Sequence, residues 1–260
     1  NLLERFCSIM QGTHVLDKQA SLFPLLESTI KEMRALHNGK LWYQLSMVLL
    51  KYIEEPSLQT GTHLIELYDG FVKEIEGYID EIVCVQLASK ASDQYQGLEN
   101  KLNFLKKIND TLLSDKAAKL LLRTKMASHK LSHGNVDDAW TDIAEINKEI
   151  DNMSDLDSIV YSDYYYLASA YYKTKANYEE FYKNSLQYLA YTHESKISTE
   201  QKRQISVDMG IACLVSDRIY NFSELLEQPV LRTLKEIPEH SWIYTLLETF
   251  NAGDISRFND

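Results

Sequence analysis

Apolar residues recur along this chain at the spacing of an α-helix almost without interruption. Leu41, Leu45, Val48 and Tyr52 stand four, three and four residues apart, and Ala139, Ile143, Ile146 and Ile150 repeat that spacing. Leu64, Leu67, Tyr68, Phe71, Val72 and Ile75 form a wider stripe of the same period. An α-helix completes a turn in about 3.6 residues, so each stripe gathers on one face that must be buried against a neighbour. Only 4 prolines and 9 glycines occur among 260 residues, which leaves few points where a turn is forced. No segment shows the sustained period-two alternation of a half-buried strand. The pattern predicts an all-α fold.

Breaks in the pattern fall at HNG (37–39), EPS (55–57), HGN (133–135), KAN (175–177), the residues before Ser198, and the surroundings of Pro229 and Pro238. They divide the chain into about ten or more helices of ordinary length, joined by connections short enough to make neighbours antiparallel. Met126, Ala127, Gly134, Ala139, Ile143 and Ile146 follow the small and large positions of a tetratricopeptide helix–turn–helix. The stretch 164–189 resembles it again, with Leu167, Ala168 and Tyr171 on the first helix. The two copies lie about 41 residues apart rather than the standard 34, and Phe181 stands near a position usually held by a small residue. The expectation is therefore a diverged, tetratricopeptide-like structure: an extended right-handed array of antiparallel helix pairs, each contacting mainly its neighbours.

Lys and Arg number 27 against 38 Asp and Glu, a net charge of −11. Sequence-independent nucleic-acid binding draws on cations meeting phosphate, so a chain this acidic argues against that class of partner. No apolar run approaches the roughly 20 residues of a membrane-spanning helix, and the opening NLLERFCSIMQ lacks the basic-then-apolar order of a signal peptide. Cys7, Cys84 and Cys213 lie far apart and none belongs to a CxxC, which reads as a reduced intracellular setting. The sequons at Asn109, Asn152 and Asn221 then read as chance matches.

Charge is segregated along the chain. Lys101, Lys106, Lys107, Lys116, Lys119, Arg123, Lys125 and Lys130 face only Asp110 and Asp115 within 101–130, whereas 135–163 holds nine carboxylates against Lys148. Two readings stand: a bipolar surface that steers partners, or neighbouring helices that neutralise each other. The first makes Lys101, Lys106, Lys107, Lys116, Lys119 and Arg123 a candidate partner surface.

Reactive motifs are missing. His129 and His133 are one helical turn apart, but Lys130 stands where HExxH needs its glutamate, so both read as solvated residues at a helix end. No GxxxxGK[ST], GxGxxG or GxSxG occurs, and no Cys–His signature. The tyrosines clustered at 161–191 read as helix packing, since Tyr buries a large body and keeps a wet hydroxyl. Neither a metal, a cofactor nor a catalytic residue is expected.

The most stereotyped stretch is IYNFSELLEQPVL (219–231). Asn221 can cap the helix that follows, with Glu224 reaching back as in a capping box. Leu225 and Leu226 supply a buried face, and Pro229 ends that short helix or opens the next. The motif Tyr220, Asn221, Phe222, Glu224, Leu225, Leu226, Pro229 and Val230 thus reads as two short helices meeting at a proline corner.

KLWYQLSMVLLKYIEEP (40–56), HLIELYDGFVKEIEGYID (63–80), YYYLASAYYKTKANYEEFYKNSLQYLAY (164–191), IYNFSELLEQPVL and the closing FNAGDISRF (250–258) occur in that order. Together they resemble the PCI-domain subunits of the proteasome regulatory-particle lid, in the family called non-ATPase subunit nine or thirteen. The resemblance is weakest over 1–36 and 92–125. It implies an N-terminal helical-repeat arm at 1–155 and the helical first part of a PCI module at 156–260, without the family's winged helix. It further implies a non-catalytic scaffold in ubiquitin-dependent degradation, cytoplasmic and nuclear. Its partners are other lid subunits, with the ubiquitin-receptor and deubiquitinase subunits as further candidates, and neither nucleic acid nor membrane. PCI subunits of the signalosome or of a translation initiation factor share the fold but not the whole ordered set. A tetratricopeptide adaptor needs a periodic set of Lys, Arg or Asn on its concave face, which these repeats lack.

Overall fold

The computed structural model describes residues 14–153 and 155–254, and among them there are helices and turns but no strand. The all-α expectation holds. The chain forms two compact units divided between Gly134 and Asn135. The 155/156 boundary suggested by the resemblance falls in the second unit, in the connection between two of its helices.

The first unit holds α1 (described over 14–22), α2 (Glu27–Asn38), α3 (Trp42–Tyr52), α4 (His63–Leu67), α5 (Lys73–Ile75), α6 (Glu81–Asp93), α7 (Leu98–Thr111) and α8 (Lys116–Ser132). A π-helical turn, Tyr68–Val72, joins α4 to α5. The wide stripe Leu64, Leu67, Tyr68, Phe71, Val72 and Ile75 is buried throughout, as its spacing predicts. Within that turn Gly70 admits α1: a Cβ there would sit 2.4 Å from Val15 Cγ2. A buried polar hook fastens the same helix. Gln19 Nε2 donates to the His63 carbonyl at 2.9 Å, and the Tyr52 hydroxyl donates to Gln19 Oε1 at 2.9 Å. Each buried partner is thereby satisfied, which removes the cost of drying an amide.

One stripe is rotated from its sequence reading. On α3 the buried residues are Leu45, Ser46, Leu49 and Tyr52, while Leu41 is 46% exposed. Leu41 is the residue before the helix, with φ −88° and ψ 68°, so it lies off the helical face that its spacing implied.

The second unit holds α9 (Val136–Asp151), α10 (Ser158–Thr174), α11 (Tyr178–Tyr191), α12 (Thr199–Val215), α13 (Phe222–Glu227) and α14 (Ser241–Ala252). Ala139, Ile143, Ile146 and Ile150 are all buried on α9, as expected. Tyr164 of α10 donates to Asn147 of α9 at 2.7 Å, and Trp140 stacks on Tyr171 at 4.8 Å. With Ser162 reaching Thr192 beyond α11, these pairs run α9, α10 and α11 antiparallel. Prolines 24, 56 and 229 each open a short 3₁₀ helix, where the missing N–H and fixed φ of proline are tolerated.

Candidate functional site

The proline corner lies within the core of the second unit. Leu225 of α13 and Val230, Leu231 and Leu234 of the 3₁₀ helix Pro229–Glu236 are buried. Leu225, Leu231 and Leu234 join Met209, Ala212 and Cys213 of α12 and Ile243, Tyr244 and Leu247 of α14 in one cluster, with Phe222 and Leu226 packed at its edge. Pro229 opens the second short helix, one of the two alternatives the sequence left. Tyr220 is 80% exposed, and Glu224 is exposed beside it.

Two residues outside the motif hold the corner in place. The Ser206 hydroxyl on α12 lies 2.7 Å from the Val230 carbonyl oxygen and 2.7 Å from that of Lys202. Thr233 Oγ1 also donates to the Val230 oxygen at 2.7 Å. Gly210, one turn along α12, lets α14 close in: a Cβ there would meet Ile243 Cγ2 at 2.5 Å.

The expected cap is corrected. Asn221 occupies the position before α13, but its side chain makes no capping bond. Its Oδ1 instead accepts from the Ser223 hydroxyl at 2.7 Å. The capping box occurs on α12. There Ser198 Oγ accepts from Gln201 N at 3.2 Å and Gln201 Oε1 accepts from Ser198 N at 3.0 Å.

The basic residues fall on two helices of the first unit. Lys101, Lys106 and Lys107 belong to α7, and Lys116, Lys119 and Arg123 to α8. Lys106, Lys107 and Lys116 are exposed and the other three half-buried. The connection between the helices is tied to α6 by Glu81, which accepts from Ser114 N at 2.9 Å, Ser114 Oγ at 2.6 Å and Asp115 N at 2.8 Å. Burial pulls the Glu81 carboxyl upward, but these hydrogen bonds and the Lys119 charge outweigh it and keep the group ionised.

His129 departs from its sequence reading. It is buried on α8 rather than solvated, 2.8 Å through Nε2 from Ser92 Oγ on α6. Ser92 gives its single proton to the Ser89 carbonyl at 2.6 Å, so Nε2 of His129 carries the hydrogen and donates. The ring is therefore packed into the seam between α6 and α8. Burial holds its pKa below the usual histidine value, against the upward pull of Asp93.

The chemistry available is limited. Among the described residues no three His, Cys, Asp or Glu side chains gather as a metal site. Burial pushes the Cys84 and Cys213 thiols up to about 12, so neither is a thiolate at neutral pH. Cys7 lies outside the described residues. No helix among the described residues is long and apolar enough to cross a membrane.

A family model described as PSD13 N-terminal repeats matches residues 29–247, from α2 into α14 and through the proline corner. The chain belongs to this family. The 26S proteasome non-ATPase regulatory subunit 13 homolog B of Arabidopsis thaliana is 30% identical over 256 residues, covering 96% of this chain and 66% of its own length. The probable 26S proteasome regulatory subunit rpn9 of Schizosaccharomyces pombe is 30% identical over 229 residues, covering 87% of this chain and 58% of its own. The Saccharomyces cerevisiae 26S proteasome regulatory subunit RPN9 is 27% identical over 258 residues, with 94% and 64% covered. The chain therefore spans somewhat less than two thirds of the length of these relatives. The corner residues and the basic stretch both lie inside the family match.

Proposed function

We propose that this chain is a non-catalytic scaffold segment of a proteasome regulatory-particle subunit, cytoplasmic and nuclear, that supports assembly of the lid and so ubiquitin-dependent degradation. The observation that carries this reading is the family match over 29–247, together with relatives named as proteasome regulatory subunits along 96% of the chain.

In this reading residues 1–155 act as the helical-repeat arm and 156–260 as the first, helical part of a PCI module. The proline corner sets the shape of that part, and the exposed lysines Lys106, Lys107 and Lys116 serve as a steering patch toward acidic neighbours in the lid. The other lid subunits are the direct partners. The ubiquitin-receptor and deubiquitinase subunits are reached through them.

The test is a chimera in which this chain replaces the matched segment of the Saccharomyces cerevisiae relative. Native gels of affinity-purified particles should show intact regulatory particle, and a chimera carrying an unrelated helical domain should not. A well-folded chimera that purifies without any proteasome subunit would remove the reading.

A further inference from the structure

The tyrosines of 161–191 do more than fill the core. Tyr161 and Tyr165 stand one turn apart on α10, and Tyr191 at the end of α11 lies against both. Its ring is 4.7 Å from that of Tyr161 with planes 19° apart, and 5.7 Å from that of Tyr165 with planes 11° apart. Tyr191 is 39% exposed and the other two are half-buried. Three near-parallel rings thus form a ladder along one edge of the α10–α11 hairpin. Tyr164, between them in sequence, is the packing residue: it is buried and bonded to Asn147.

Carboxylates flank the ladder along the chain, and Asp157 stands one helical turn before Tyr161. Asp151 ends α9, Asp155 stands in the connection, and Asp157 caps α10; all three are exposed. Burial, then Tyr191 and then the Asp151 charge push the Tyr165 hydroxyl upward. Lys148 is the single cation in the sequence between 135 and 163.

We propose that this carboxylate-flanked tyrosine ladder docks an arginine-bearing segment of a partner protein. A guanidinium is planar, stacks on an aromatic face and is drawn both to the ring quadrupole and to a carboxylate. An ammonium meets the charge but not the stack. An apolar segment would leave the carboxylates dry and unpaired, and an acidic one would be repelled. Tyrosine suits such a surface because it offers large contact area at little conformational cost. The contact adds to the assembly role and does not rest on it.

The test titrates the 260-residue chain with a labelled, end-blocked peptide Gly-Arg-Arg-Gly-Arg-Arg-Gly at low salt, followed by anisotropy. The same peptide with lysine, or with glutamate, at each arginine gives the comparison. The arginine peptide should bind, the lysine peptide should bind at least about threefold more weakly, and the glutamate peptide should not bind. Tyr161→Leu with Tyr191→Leu should weaken the arginine peptide about tenfold at unchanged helical circular dichroism. Asp151→Asn with Asp155→Asn, which leaves every ring in place, should weaken it and flatten its salt dependence. Equal affinity for arginine and lysine, affinity unmoved in the charge variant, or no binding of the arginine peptide would each overturn the proposal.

Discussion

Ser206 of α12 and Val230 of the proline corner are fastened to each other: the serine hydroxyl lies 2.7 Å from the valine carbonyl oxygen, with both residues buried. The bond joins a long helix to a short 3₁₀ helix 24 residues further along the chain. Thr233 bonds the same oxygen, so Ser206→Ala should leave it paired and cost only about 0.5–1.5 kcal/mol. Removing both hydroxyls takes both side-chain donors from one buried carbonyl. Ser206→Ala with Thr233→Ala should therefore cost more than the two single changes added together, by about 1 kcal/mol or more in urea unfolding. Simple additivity would show that the shared acceptor is not what couples them.

Gly210 makes a second prediction about the same seam. Alanine in an exposed helix interior usually gains about 1 kcal/mol over glycine. Here the added Cβ would lie 2.5 Å from Ile243 Cγ2, in a core where overpacking costs about 1–3 kcal/mol. Gly210→Ala should lower the melting temperature despite its better propensity. Ile243→Ala alone removes a fully buried side chain and should cost about 2–5 kcal/mol, but in that background Gly210→Ala should cost less than it does in the parent, because the clashing carbon is gone.

The corner ranks its own residues. Leu225 is 1% exposed inside the unit-two core, so Leu225→Ala should cost about 2–5 kcal/mol. Leu226 sits at the edge of that core and should cost clearly less. Asn221→Ala should be nearly neutral, since no backbone N–H depends on its side chain. Ser198→Ala, which dismantles a real capping box, should cost about 0.5–2 kcal/mol. Denaturant midpoints of the four variants give the order directly, and an Asn221→Ala loss as large as that of Ser198→Ala would contradict it.

Local pattern carried the helices and failed where a second segment decides the outcome. Ala139, Ile143, Ile146 and Ile150 are buried because one helical face is a property of the helix alone. Leu41 fits the same spacing but falls just before its helix, where the face no longer exists. The Asn221 cap was plausible from spacing, yet Ser223 competes for its oxygen, and spacing does not weigh competitors. The π-turn at Tyr68–Val72 exists together with a packed Val15 from more than fifty residues earlier, information that no window of the sequence contains. The same holds for Ser206, Gly210 and the ladder: each is defined by a partner on another helix. Charge at 101–130 is legible as composition, but only the fold distinguishes exposed Lys106, Lys107 and Lys116 from half-buried Lys101, Lys119 and Arg123.

His129 predicts an acid-sensitive seam between α6 and α8. Its folded pKa lies below the 6.5 of an open chain because burial disfavours the imidazolium more than Asp93, 3.9 Å away, favours it. Above pH 6.5 the ring is neutral in both states and the packing contributes in full. As the pH falls below 6.5, the unfolded chain takes up a proton that the folded chain resists, so stability declines, by up to about 1.4 kcal/mol per pH unit for one site. The decline from this group ends once the pH passes below its folded pKa. His129→Gln keeps a donor for Ser92 and cannot be protonated. Urea midpoints measured from pH 7.5 to 5.5 should fall less steeply in that variant than in the parent chain. Identical slopes would mean that His129 is protonated as easily in the folded chain as in the open one.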